Sequence, residues 1–276
     1  MRTISSLSEL REIRTSMRGT FGLVPTMGAL HEGHASLVKR ARAECSLVGA
    51  SIFVNPAQFS PGEDFGKYPR TIERDLELLE RLGADVVWTP SPQSMYPDGF
   101  QTWVTVEELE KPLEGESRPG HFRGVTTVVA KLLNCFVPDK AYFGQKDAQQ
   151  VAVIKRMVRD LNFPVEVVVC PTVREPDGLA MSSRNAYLDP VERKAATVLY
   201  RALCAAKEKY ERGERDAEAL RTAMRSIIRS EPLAQVQYVS AADPESLGEL
   251  QMIENSVLLS LSVRIGKARL IDNILI

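Results

Sequence analysis

No stretch of the 276 residues approaches the roughly 18 consecutive apolar positions that a membrane-spanning helix needs. The first residues, Met1-Arg2-Thr3-Ile4-Ser5-Ser6-Leu7-Ser8-Glu9, also lack the apolar run of a secretory leader, so a cytoplasmic protein with no membrane partner is expected. Cysteine is scarce and scattered. Cys45, Cys135, Cys170 and Cys204 form no CxxC pair, which argues against a zinc knuckle or a disulfide framework and for buried free thiols. An excess of positive charge is missing too: 35 Lys and Arg against 36 Asp and Glu give a formal charge of −1. Counterion release by a basic surface is what drives non-specific nucleic-acid binding, so no nucleic-acid partner is expected. Internal repeats and low-complexity tracts are lacking, as are a G-x-S-x-G elbow, a P-loop and a paired metal-ligand cluster.

What is present is the composition of a globular chain, 44% hydrophobic and 26% charged, long enough for two domains or one large one. Ile4, Leu7, Leu10, Ile13 and Met17 recur at helical spacing, predicting a helix over 3–17. A strand at 21–25, a helix at 33–44, a strand at 47–54, a helix at 71–82 and a strand at 85–89 follow. After an irregular stretch, 91–120, holding a short strand at 102–106, come a helix at 125–136, a strand at 141–143, a helix at 148–160 and a strand at 165–170. Short apolar strands alternating with helices predict an α/β fold, a Rossmann-like doubly wound parallel sheet. The alternation then stops. Two helices, 190–212 (Asp189 as N-cap, Pro190 in the first turn) and 216–230, precede strands at 235–240, 257–263 and 268–272. This predicts a first domain over 1–175 and a smaller C-terminal α+β lid domain over 176–276.

His31-Glu32-Gly33-His34 sits where the first strand gives way to its helix, at the carboxyl edge of the sheet where ligands of open α/β folds bind. Unpaired N–H groups at a helix start, glycines that permit close approach and two histidines three apart suit an anion. The segment Met27-Gly28-Ala29-Leu30-His31-Glu32-Gly33-His34 reads equally as a phosphate cradle and as a capping turn with incidental histidines. Two histidines alone make an incomplete zinc site. Farther on, Met181-Ser182-Ser183-Arg184-Asn185 offers two hydroxyls and a guanidinium fork, a set that suits triphosphate oxygens and is also common turn chemistry.

The pair of segments resembles the signature of the nucleotidyl-transferase superfamily, in which both bind ATP. A closer resemblance is carried by Val24-Pro25-Thr26-Met27-Gly28-Ala29-Leu30-His31-Glu32-Gly33-His34, by Ile52-Phe53-Val54-Asn55-Pro56-Ala57-Gln58-Phe59 and by Arg118-Pro119-Gly120-His121-Phe122-Arg123-Gly124-Val125. Tyr142-Phe143-Gly144-Gln145-Lys146-Asp147-Ala148-Gln149-Gln150 and Met181-Ser182-Ser183-Arg184-Asn185 continue it. These blocks, in this order, are similar to the pantoate–β-alanine ligase family, and the likeness spans essentially the whole chain.

That resemblance implies the reaction. ATP and pantoate give pantoyl adenylate and pyrophosphate, and β-alanine then displaces AMP to give pantothenate. It also implies roles. His34, with His31, Lys146 and Arg184, is catalytic. Met27 to His34, Gly144, Gln145, Lys146, Asp147, Val173, Met181, Ser182, Ser183 and Arg184 bind ATP, Asp147 at the ribose and Val173 at the adenine. Gln58 and Gln150 hold pantoate and the β-alanine end, while Pro25, Met27, Phe59, Val125, Val128 and Val129 line an apolar wall. Tyr68 and Arg118 lie near the substrate cleft, and Asn55 at its β-alanine or pantoate end. Mg2+ is implied as the partner of ATP, its protein ligands unknown, with Asp75 the one candidate. A homodimer is implied as well.

Overall fold

The computed structural model describes residues 1–60 and 62–276. In chain order the strands and α-helices of the first part are β1 (Arg2–Ile4), α1 (Leu7–Ser16), β2 (Phe21–Thr26), α2 (Glu32–Glu44), β3 (Leu47–Ile52), α3 (Ile72–Arg81), β4 (Val86–Trp88), the single turns α4 (Pro92–Met95) and α5 (Glu114–Ser117), α6 (His121–Phe136), β5 (Lys140–Gly144), α7 (Ala148–Asp160) and β6 (Glu166–Cys170). Among the described residues β1 to β6 form one parallel sheet in the order β1-β4-β3-β2-β5-β6. Its two faces are read from the alternation of side chains along each strand. Phe21, Leu23, Val86, Trp88, Ala141 and Phe143 share one core with α1, α6 and α7. Val24, Val48, Ala50, Val87 and Tyr142 share the other with α2 and α3. The sheet is therefore covered on both sides, as the βα alternation predicts. Connections run to one side of β2 through β3 and to the other through β5, so β2 and β5 flank the switch point at which α/β ligand crevices open.

The second part holds α8 (Pro190–Ala195), α9 (Val198–Glu211), α10 (Ala217–Arg229), β7 (Ala234–Ala242), β8 (Leu258–Ile265) and β9 (Ala268–Leu275). The three strands make an antiparallel sheet in the order β7-β8-β9. Leu259, Leu261 and Val263 of β8 pack with Leu199, Leu203, Leu220 and Met224 of α9 and α10 in its core. Packing divides the chain into Met1–Gly144 with Gln149–Pro171, and Gln145–Ala148 with Thr172–Ile276. Residues 145–148 thus belong with the second unit, whereas a boundary at 175/176 would leave them in the first.

Three local expectations are corrected. Residues 2–4 form a strand and not the start of a helix: Ile4 pairs with Trp88 of β4 and is fully buried. No strand forms at 102–106. There the Val104 N–H donates to Thr127 Oγ1 at 3.0 Å and the Val104 carbonyl accepts from Thr126 Oγ1 at 2.6 Å, so side chains of α6 replace a β-ladder. The helix expected over 190–212 breaks between α8 and α9, where Thr197 Oγ1 donates to the Lys194 carbonyl at 2.8 Å and draws it from the regular helical ladder.

Candidate active site

In the first unit the site starts at the carboxyl end of β2. Thr26 Oγ1 donates to the Ser51 carbonyl of β3 at 2.7 Å and accepts from the Gly28 N–H at 3.2 Å, which turns the chain sharply out of the sheet. Gly28 takes φ +83°, and a Cβ there would lie 3.1 Å from Asp75 Oδ2 and from Ile52, so glycine is required on both counts. Ala29 follows in the left-handed region at φ 51°. Asp75, from the first turn of α3, holds this turn: its Oδ2 accepts from the Ala29 N–H at 2.8 Å and its Oδ1 from the Leu30 N–H at 2.9 Å. Thr71 Oγ1 adds a third bond at 3.1 Å.

The two motif histidines cap α2 reciprocally. His31 Nδ1 accepts from the Gly33 N–H at 3.1 Å, and His34 Nδ1 accepts from the His31 N–H at 3.3 Å. Both rings are half-buried, their centroids 4.2 Å apart. A nitrogen that accepts carries no proton, so each ring proton resides on Nε2. Of the two readings open on sequence alone, the capping turn is present, and the same bonds orient two imidazole N–H groups at the positive end of a helix.

Gln58 closes a 3₁₀ turn, Pro56–Gln58, capped by Asn55. Its Nε2 donates to Met27 Sδ at 3.0 Å, and its Oε1 accepts from Asn55 Nδ2 at 3.0 Å. The pantoate amide of the sequence reading therefore meets the Met27 turn directly. Asn55 also binds the Gly124 carbonyl and accepts from the Tyr96 hydroxyl at 2.8 Å; burial pushes that phenol up to about 12, against the opposing pull of Asn55. Gly124 lets α6 lie on this turn, since a Cβ would fall 2.2 Å from the Ala57 carbonyl oxygen. Behind it Arg118 forms a fork with Glu63 at 2.6 and 2.8 Å. Burial raises the Glu63 carboxyl, but Arg118 outweighs it and holds the group below the usual carboxylate range. His121 Nδ1 is 2.7 Å from the Gln58 carbonyl and its Nε2 is 3.0 Å from Arg118. Since a carbonyl only accepts and a guanidinium only donates, His121 carries its proton on Nδ1. Glu63 and His121 escape sequence reading; His121 stands within a quoted motif, yet nothing in its spacing betrays the carbonyl it serves.

Gln150 is half-buried in the first turn of α7. Its neighbour Gln149 is buried, accepting from the Glu114 N–H and donating to the Leu109 and Pro112 carbonyls, so it braces the 109–114 loop. Val125, Val128 and Val129 sit in the sheet core, and Pro25 and Phe59 are half-buried. Tyr68 is buried against Phe59 with ring centroids 5.9 Å apart.

The second unit carries the remaining positions. Lys146 and Asp147 lie in a 3₁₀ turn, Gln145–Asp147, that follows Gly144, the last residue of β5, with Lys146 Nζ 3.5 Å from Asp147 Oδ1. Buried Asn273 of β9 anchors this turn, donating to the Gln145 and Lys146 carbonyls at 3.0 and 2.8 Å. The Val173 carbonyl accepts from the Met181 N–H at 3.0 Å, a bond that sets residues 173 and 181 side by side. Ser182 caps a 3₁₀ turn, Ser183–Tyr187, through its hydroxyl, and residues 181–185 are half-buried. Within the first unit the structure therefore brings together the Met27–His34 segment, Gln58 and Asn55; within the second it gathers Lys146 with Asp147 and Val173 with the Met181–Arg184 segment.

No group of three or more His, Cys, Asp or Glu side chains among the described residues could hold a metal ion. Asp75 does not suit Mg2+: it is 1% exposed and its carboxylate already takes three hydrogen bonds.

The chain is similar to known proteins over its whole length. Residues 1–275 match the family model described as pantoate-beta-alanine ligase. The pantothenate synthetase of Roseiflexus sp. (strain RS-1) is 60% identical over 273 residues, covering 99% of this chain and 98% of that protein. That of Herpetosiphon aurantiacus is 58% identical over 275 residues, covering 99% of both. Among solved structures, a pantothenate synthetase of Thermus thermophilus superposes with a TM-score of 0.95 at 49% identity, covering 99% of each chain. A pantoate-beta-alanine ligase of Francisella tularensis, crystallised with β,γ-ATP and β-alanine, gives 0.81 at 38% identity, with 100% of this chain and 97% of that one covered.

Proposed function

The chain belongs to the pantoate–β-alanine ligase family and is a ligase condensing pantoate with β-alanine, and we propose that it does so through a pantoyl adenylate handled by the residues described above. The observation that carries this reading is the reciprocal capping of His31 and His34. It fixes two Nε2–H donors at the start of α2, before any ligand arrives, where preorganised donors are most effective.

In the first step the pantoate carboxylate attacks the α-phosphorus of ATP. The new oxygen–phosphorus bond forms as the bond to the β-phosphate oxygen breaks, and pyrophosphate leaves with the charge. His34 and His31 donate to that growing charge, and Lys146, Ser182, Ser183 and Arg184 take phosphate oxygens. Asp147 holds the ribose, and the backbone at Val173 places the adenine. Gln58 and Gln150 orient pantoate by amides that donate and accept in one geometry. In the second step the neutral amine of β-alanine attacks the acyl carbonyl, the bond from the acyl carbon to the phosphate oxygen breaks as AMP departs with its electron pair, and the proton lost from the nitrogen passes to solvent. Neither step needs an enzyme nucleophile. Mg2+ accompanying ATP would supply neutralisation of the phosphate charge. Family likeness also supports a homodimer. A cytoplasmic site of action accords with the lack of any described helix long and apolar enough to cross a membrane.

Pantoate-dependent ATP–pyrophosphate exchange without β-alanine is the expected result. Pantoate labelled with oxygen-18 in its carboxylate should transfer one label to AMP on full turnover; unlabelled AMP overturns the adenylate route. Gln58→Ala should raise KM for pantoate about tenfold or more, the scale of a lost hydrogen bond to a charged group, while KM for ATP changes less than about twofold. Equal changes for both substrates count against the assignment.

A further inference from the structure

Asp75 carries more than its place on α3 requires. It is a carboxylate 1% exposed, and its two oxygens accept the N–H groups of Ala29 and Leu30, at 2.8 and 2.9 Å, and the hydroxyl of Thr71 at 3.1 Å. Ala29 stands at φ 51°, a region that costs an L residue energy and persists only when its surroundings hold it. The two amides gripped by Asp75 are the last two before His31, and the His31 N–H is in turn the group that His34 Nδ1 accepts. Hydrogen bonds, joined by the short backbone from Leu30 to His31, therefore link α3 through the turn to both imidazoles. Asp75 and Ala29 are 46 residues apart, so the link is tertiary and independent of the local helix cap.

We propose that Asp75 is a positioning residue for the ligase reaction: its buried carboxylate clamps the strained Gly28-Ala29-Leu30 turn and so sets where the His31 and His34 imidazoles present their Nε2–H groups. The inference rests on the role given above to the histidines. A carboxylate is the group that can do this, because both of its oxygens accept. An amide at the same place keeps one acceptor and turns an NH2 toward a backbone N–H, so at least one clamp bond is lost whichever way it is flipped.

The test uses Asp75→Asn in the full-length protein. Backbone amide exchange followed by NMR should speed up at least tenfold at Ala29 and Leu30 while the amides of α6 and β8 stay unchanged. Turnover should fall roughly tenfold to a hundredfold, with KM for β-alanine within about twofold of the parent. In a His34→Ala background the same substitution should cost less than about threefold, since a residue acting through His34 has little left to act on. Unchanged exchange at Ala29 and Leu30, unchanged turnover, or an equal loss in both backgrounds each overturns the inference. A His34→Ala enzyme of normal turnover points instead at the histidine role, and the amide exchange then still decides whether the clamp exists. If Asp75→Asn fails to fold, Thr71→Val removes one bond to the carboxylate and leaves the backbone intact. It should lower turnover about two- to fivefold, and parental turnover in that variant overturns the proposal.

Discussion

His34→Ala is expected to lower the rate of pantoate-dependent ATP–pyrophosphate exchange by about a hundredfold to a thousandfold, the effect of removing one preorganised donor to a developing charge, or about 3–4 kcal/mol. The same change deletes an acceptor, because His34 Nδ1 receives the His31 N–H at 3.3 Å. Loss of a helix cap costs about 1 kcal/mol, so stability falls modestly beside the loss of rate. His34→Glu separates the two effects. A carboxylate at this position can accept the His31 N–H and suits the positive end of α2, so stability should return to within about 0.5 kcal/mol of the parent. Its charge repels pyrophosphate, so exchange should be no faster than in His34→Ala. Recovery of rate together with stability would mean that His34 serves α2 alone.

How much of this was open to sequence reading depends on where the controlling interactions lie. The β2–turn–α2 unit was legible because its apolar strand, its glycines and its histidines are adjacent in the chain, and each acts on its neighbours. The doubly wound sheet was legible for the same reason: Phe21, Leu23 and Val24 declare a strand buried on both faces. β1 was hidden because three residues are too few to show a period of two, while Ile4 falls in step with Leu7 and Leu10 of the following helix. The stretch 102–106 alternates like a strand, yet its backbone groups find Thr126 and Thr127 of α6, a choice that no local pattern encodes. Asp75 was visible only as an acidic residue in a helix. Its partners Ala29 and Leu30 are remote in sequence, and a carboxylate considered for a metal proves to be filled by amides. Chain continuity places residues 145–148 in the first unit, whereas Asn273, far along the chain, ties the Gln145 and Lys146 carbonyls to β9.

Arg174→Met is expected to destabilise the second unit by about 3–5 kcal/mol, the cost of leaving a buried charge without its partner. Asp272 is 2% exposed and meets the Arg174 guanidinium in a two-pronged pair at 2.6 and 2.9 Å. The same guanidinium donates to the Gly178 carbonyl at 3.1 Å and to the Asn273 carbonyl at 3.3 Å, and lies 4.1 Å from the centre of the Tyr200 ring. Asp272 adjoins Asn273, so the loss should reach the Lys146 turn and raise KM for ATP more than KM for pantoate. The pH dependence of the deficit identifies its cause. Burial already pushes the Asp272 carboxyl up against the pull of Arg174, and removing that pull raises it further. Folding of the variant then favours the protonated carboxyl more than the unfolded chain, with its ordinary carboxyl at about 3.9, does. Its stability relative to the parent should therefore improve as pH falls from 8 toward 5 and worsen in the other direction. Pairing Arg174→Met with Asp272→Leu removes the stranded charge and should recover most of the lost stability at every pH, although the Lys146 turn would still lack the two side chains that frame Asn273. A deficit of the single variant below about 1 kcal/mol, or one independent of pH, would show that solvent reaches Asp272 once the guanidinium is gone. KM for ATP is then the quantity that tells whether Arg174 shapes the Lys146 turn without stabilising the unit around it.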